Sequence, residues 1–171
     1  RYNPSTTNWE DECIVLEQQV ESVLGTDYID IIVEAGPSEN FLSTVRRSSD
    51  YMFLKCNWAG DYADPETWVE PFYQKDNGDG TFHRGGRYSY LAYAILDTAS
   101  AETVKEYFTL VETAKAITGA DQEAERFAAF AKAEAYLIDH ALAVPYGVSN
   151  MSYIANKLNV YESQYSPSGV A

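Results

Sequence analysis

The residues best equipped for chemistry stand together at Trp58-Ala59-Gly60-Asp61-Tyr62-Ala63-Asp64-Pro65. An aromatic ring beside an ionised carboxylate is a receptor for an ammonium group, because the ring face attracts the cation and the carboxylate bonds it. Trp58 and Asp61 supply that pair. The same residues also have a purely local use. Asp61 and Asp64 are turn and helix-capping residues, and Pro65 suits a first helical position. The two uses are compatible, with Asp64 as the cap and Asp61 as the anchor for a cation.

Other candidates carry less. Asp76-Asn77-Gly78-Asp79-Gly80 has the acidic look of a calcium loop. Glycines, however, fall where an EF-hand needs oxygen ligands, so the run reads as a polar turn. His83 and His140 lie far apart, and no His-x-x-x-His or Cys-x-x-Cys pairing supplies a zinc set. No Gly-x-Ser-x-Gly elbow presents a nucleophile. A pair of catalytic carboxylates is not identified by counting, since 26 acidic residues guarantee chance pairs and most read as solvated helix faces. The expectation is a chain without catalytic residues, metal or cofactor.

The elements that must position Asp61 follow from hydrophobic spacing. Trp9, Cys13, Leu16, Val20 and Val23 recur at helical intervals over residues 8–24, with Asn8 as N-cap and Gly25 as stop. The β-branched run at 28–33 reads as a strand, and Ser38 opens a short helix reaching Arg46 or Arg47. A second strand is predicted over 51–58, buried on both faces, which places Trp58 to Tyr62 at its carboxyl end. Residues 59–87 are broken by Gly and Pro, with a short helix at 66–72. Three helices follow. The first spans 88–96. The second begins after Ser100, with Val104, Tyr107, Phe108, Val111 and Ala114 on one face. The third begins at Asp121, with an apolar stripe of Ala124, Phe127, Ala128, Ala131, Ala135, Ile138 and Leu142. Short strands are predicted at 144–148 and 153–155. The helix–strand order gives an α/β class, a mixed sheet flanked by helices, with 28–33 and 51–58 as parallel neighbours.

Composition narrows the function. The 171 residues fit a single domain, and 46% hydrophobic against 22% charged is a globular balance. Twelve Lys and Arg against 26 Asp and Glu give a net charge of −14, which disfavours nucleic acid and anionic lipid headgroups as partners. No apolar run approaches a membrane span. Cys13 and Cys56 read as buried small hydrophobes rather than a mutual bridge.

At Asn57-Trp58-Ala59-Gly60-Asp61-Tyr62-Ala63-Asp64-Pro65-Glu66-Thr67 the chain resembles the extracellular solute-binding proteins of peptide ABC transporters, the oligopeptide- and dipeptide-binding group. The likeness extends to Val23-Leu24-Gly25 upstream. Downstream it extends to Tyr107-Phe108, Thr118-Gly119-Ala120-Asp121, Arg126, Ala133-Glu134, Leu137-Ile138 and Val144-Pro145-Tyr146, and so covers residues 8–165. It implies that residues 1–171 are a single domain, most of one lobe of a type II periplasmic-binding-protein-like fold and the C-terminal part of the ligand-binding lobe, within a longer two-lobed protein that closes on ligand. The opening at Arg1 without Met fits that expectation of a fragment.

The resemblance further implies that Asp61 binds a peptide's α-ammonium group, that Trp58 and Tyr62 line the cleft, and that backbone at Ala59 lies beside them. It implies a monomeric, non-enzymatic binding protein, periplasmic or held at the cell surface by a lipid anchor, that hands oligopeptides to membrane permease subunits. Residues 75–103 depart from the shortest members of the family. Relatives on the same scaffold bind oligosaccharides or nickel complexes, so a sugar or another small solute is the alternative ligand, and Asp61 is the reason to prefer peptides. From other classes, an acidic interaction module or a carboxylate-based catalytic domain stand further off.

Overall fold

The computed structural model describes residues 1–46, 48, 51–74 and 100–148. About half of these are helical. The first helix, α1, spans Trp9–Leu24. Glu10, Asp11 and Glu12 occupy its first turn, where the helix dipole favours negative charge. Gly25, at φ 83°, ends it with its N–H on the Glu21 carbonyl. A left-handed residue at that place is the ordinary role of glycine. A single π-helical turn, Leu42–Arg46, follows an irregular stretch. Helix α2, Glu66–Val69, continues into a 3-10 turn at Glu70–Phe72. Helices α3, Ala101–Lys115, and α4, Glu123–Asp139, pack together as a hairpin.

The core lies between this hairpin and the end of α2. Val104, Tyr107, Phe108, Val111 and Ala114 of α3 form its inner face, as the spacing predicts. Ser100 caps that helix, its side chain accepting the Thr103 N–H at 3.1 Å. Helix α4 contributes Phe130, Ala133 and Leu137, and the α2 segment contributes Val69 and Tyr73. Here the structure corrects the sequence. The stripe predicted for α4 faces outward, with Phe127 45% and Ile138 40% exposed. An alanine-rich helix carries two apolar faces of similar strength, and periodicity cannot choose between them. The helix also begins at Glu123 rather than Asp121, and Gln122 precedes it without a side-chain cap.

The expected mixed sheet flanked by helices is overturned, because no strand forms among the described residues. Residues 28–33 and 51–58 do not pair with each other, and 144–148 is not a strand either. The reason is local competition for backbone groups. After α1, the N–H groups of Tyr28 and Ile29 turn back to the Gly25 carbonyl, and Glu21 Oε1 takes the Ile31 N–H at 2.7 Å. β-Branched residues favour extended backbone but cannot supply the partner that makes a strand.

What pairing exists is built on the first two residues. Tyr2 makes a parallel bridge with Ala35, its N–H on the Glu34 carbonyl and its own carbonyl accepting from Gly36. On the other side, the Arg1 backbone nitrogen donates to the Phe53 carbonyl at 2.7 Å and the Lys55 N–H donates back to the Arg1 carbonyl. Residues 1–2 thus join the segment that follows the first expected strand to the middle of the second, through contacts too short to form a sheet. Gly36 sits under the Phe41 ring, where an added Cβ would fall 2.5 Å from a ring carbon. Tyr2, Phe41 and Val45 are buried there.

The cysteines are both free, as expected, but neither is the buried hydrophobe expected, since Cys13 is half-buried and Cys56 is exposed. The predicted helix 88–96, the turn at 76–80, His83 and the strand 153–155 lie outside the described residues. No helix among the described residues is long and apolar enough to cross a membrane.

Candidate functional site

Trp58, Ala59, Asp61 and Tyr62 fall on one loop folded back over α2, although no strand delivers them. Two bonds to Thr67 close the loop. The Trp58 indole N–H donates to the Thr67 carbonyl at 2.7 Å, and the Asp61 backbone N–H donates to Thr67 Oγ1 at 3.0 Å. Thr67 is 2% exposed, so both bonds end on a rigid point. Gly60 lets the loop close. A Cβ there would lie 3.1 Å from the Thr67 methyl carbon and 3.3 Å from the Trp68 ring.

Trp58 is half-buried, Ala59 and Asp61 are exposed, and Tyr62 is 44% exposed. The Tyr62 hydroxyl donates to Glu70 Oε2 at 3.2 Å. Burial, together with the negative charge of Glu70 and Glu66, pushes that phenol well above its ordinary range. Asp61 differs from its acidic neighbours, because its carboxylate has no hydrogen bond or ion pair among the described residues. It is therefore an open acceptor held by a fixed backbone. Asp64 caps: its Oδ1 accepts the Glu66 N–H at 2.9 Å at the start of α2. Asp64 thus makes the capping bond expected of it, and the Asp61 carboxylate takes no part in it.

The loop rests on the hairpin through charge and one buried bond. Arg126, near the start of α4, donates from Nη2 to Asp64 Oδ1 and Glu66 Oε2, both at 2.9 Å. Its Nη1 donates to the Ala114 and Ile117 carbonyls near the end of α3. Lys115 bonds Glu66 Oε1 at 2.7 Å and Glu70 Oε1 at 3.2 Å. The buried Tyr107 hydroxyl donates to the Val69 carbonyl at 2.8 Å. Partial burial opposes ionisation of Asp64, but the Arg126 guanidinium and the Glu66 N–H outweigh it and hold the carboxyl below its ordinary value. Burial likewise works against charged Lys115, yet Glu66 and Glu70 hold its ammonium above the ordinary lysine value.

Sequence reasoning missed Thr67 and Trp68. The Trp68 ring is 53% exposed beside Gly60, a second aromatic surface next to Asp61. It was hidden because a tryptophan in a short helix is read as packing. Arg126 carried a legible signal. A cation in the first turn of a helix opposes the macrodipole, and so calls for anionic partners. Among the described residues no group of His, Cys, Asp and Glu is arranged to hold a metal ion.

With this geometry in view, the relatives are informative. The chain is similar to bacterial oligopeptide-binding proteins. It is 29% identical over 138 residues to the oligopeptide-binding protein SarA of Streptococcus gordonii, covering 76% of this chain and 19% of that protein. It is also 29% identical over 135 residues to the oligopeptide-binding protein AliB of Streptococcus pneumoniae, covering 76% of this chain and 20% of that protein. The chain spans about a fifth of the length of the curated relatives it matches. No family model matches it, and no solved structure does.

Proposed function

We propose that this chain is part of the substrate-binding component of an ABC importer, and that it captures oligopeptides through Asp61. The observation that carries the reading is the open Asp61 carboxylate, held by Thr67 within a loop whose other acids are paired, in a chain similar to oligopeptide-binding proteins. A peptide of varied sequence is best recognised through its backbone and termini, and an ammonium terminus needs one unpaired anion. Trp58, Ala59 and Tyr62 form the surrounding wall. The chain is most of one lobe of a longer, monomeric, two-lobed binding protein that closes on peptide and delivers it to permease subunits at the outer face of the membrane.

Calorimetric titration of the full-length protein with a short-peptide pool, free-amine against N-acetylated, tests the reading. Binding that disappears on acetylation supports it. Asp61→Asn is expected to weaken free-amine binding by about 30-fold or more, equivalent to about 2 kcal/mol. Equal binding of the two pools removes Asp61 from its role, and binding of neither pool removes peptides as the ligand.

A further inference from the structure

Within ten residues this loop and helix carry four carboxylates, on Asp61, Asp64, Glu66 and Glu70. A cation arriving at such a cluster has several places to settle. The structure removes all but one. Both oxygens of Asp64 face Arg126, through Nη2 at 2.9 Å and Nε at 3.4 Å. Glu66 gives one oxygen to Lys115 and the other to Arg126. Glu70 gives one to Lys115 and the other to the Tyr62 hydroxyl. All six oxygens are thereby engaged, and only the Asp61 pair has no partner among the described residues.

We infer that Arg126, some sixty residues along the chain from this loop, is a positioning residue that sets selectivity for an ammonium group at Asp61. This inference rests on the ammonium reading of Asp61. The Arg126 fork binds two carboxylates at once and is tied behind by the Ala114 and Ile117 carbonyls. Its planar donors match carboxylates in a way that a lysine does not. With the fork gone, Asp64 and half of Glu66 become competing acceptors beside Asp61, and an incoming ammonium group is no longer directed to one place.

The test is the ratio of affinities for a free-amine peptide and its acetylated form in the full-length protein. It is measured, each with and without Asp61→Asn, for wild type, Arg126→Gln, and Arg126→Gln combined with Asp64→Asn and Glu66→Gln. Asp61→Asn is expected to lower the ratio by about 30-fold in wild type and by only about threefold in Arg126→Gln, where the freed carboxylates take the ammonium group in its place. The triple variant, which replaces the freed carboxylates with amides, is expected to regain the full dependence on Asp61. A merely structural role would not produce that recovery. Arg126→Lys keeps the charge without the fork, is expected to give an intermediate dependence, and carries the test if Arg126→Gln does not fold. A wild type that binds both peptides alike refutes the ammonium reading itself, and this inference with it. A selective wild type whose dependence on Asp61 is unchanged in Arg126→Gln and Arg126→Lys leaves that reading standing and overturns the role of Arg126. Dependence on Asp61 lost in Arg126→Gln and not regained in the triple variant overturns it too.

Discussion

Replacing Thr67 with valine removes one atom's function from the loop and almost nothing else. The two side chains have the same shape, and valine keeps the methyl group against which Gly60 packs. What is lost is Oγ1, the acceptor for the Asp61 N–H at 3.0 Å. The Trp58 bond ends on the Thr67 backbone carbonyl and survives. A lost hydrogen bond costs about 0.5–1.5 kcal/mol net, and more when the orphaned donor is sealed from water. Asp61 is exposed, so its N–H can turn to solvent once the loop relaxes, and the expected loss is about 1 kcal/mol. In a domain of this size that lowers the melting temperature by roughly 3 °C. Urea unfolding followed by tryptophan fluorescence reads the same loss as a lower midpoint at unchanged slope. Hydrogen exchange of the Asp61 amide supplies the local readout, protected in wild type and fast in the variant. Thr67→Ser, which keeps the hydroxyl, should preserve that protection. If Thr67→Val leaves Asp61 protected, or if Thr67→Ser exposes it equally, the hydroxyl does not hold the loop and the reasoning fails.

Other consequences are direct. Phe130→Ala should destabilise by about 3–5 kcal/mol, whereas Phe127→Ala, three positions away on the exposed face, should stay within about 0.5 kcal/mol in the same denaturation series. Tyr107→Phe leaves the buried Val69 carbonyl without its donor and should cost about 1–3 kcal/mol by urea midpoint, and an unchanged midpoint would show that bond to be dispensable. The pH profile follows from two shifts of opposite sign. Asp64 is held low, so its contribution is present above the unfolded carboxylate value near ~4 and is lost as pH falls through its lower folded value. Lys115 is held high, so its contribution is present below ~10.4 and is lost as pH rises through its folded value. Thermal melts across pH should therefore show a plateau between these limits, with a shallower acid limb in Asp64→Asn, and an identical acid limb in that variant would exclude the Asp64 contribution.

Several local features were legible in the chain because short-range rules fix them. Ser100 capping α3, the face of Val104, Tyr107, Phe108, Val111 and Ala114, the stop at Gly25, and the short helix before Phe72 all depend on residues within a few positions of each other. The order of residue types from Trp58 to Asp64 suggested a family, and the chain as a whole is similar to oligopeptide-binding proteins.

The tertiary structure decided what depends on distant partners. A strand needs a second backbone, and for the segments after 28–33 and before Trp58 that partner was the pair Arg1–Tyr2, which no periodicity foretold. The inner face of α4 was chosen by the hairpin, because Phe130 and Leu137 meet α3 while the alanine stripe does not. Which of the four acidic residues are paired among the described residues was decided by Arg126 and Lys115, brought from positions remote in the chain. Sequence supplies the charges and their local turns. Only the fold brings the opposing cations close enough to leave Asp61 as the acceptor without a partner among the described residues, because an ion pair forms by distance in space rather than along the chain.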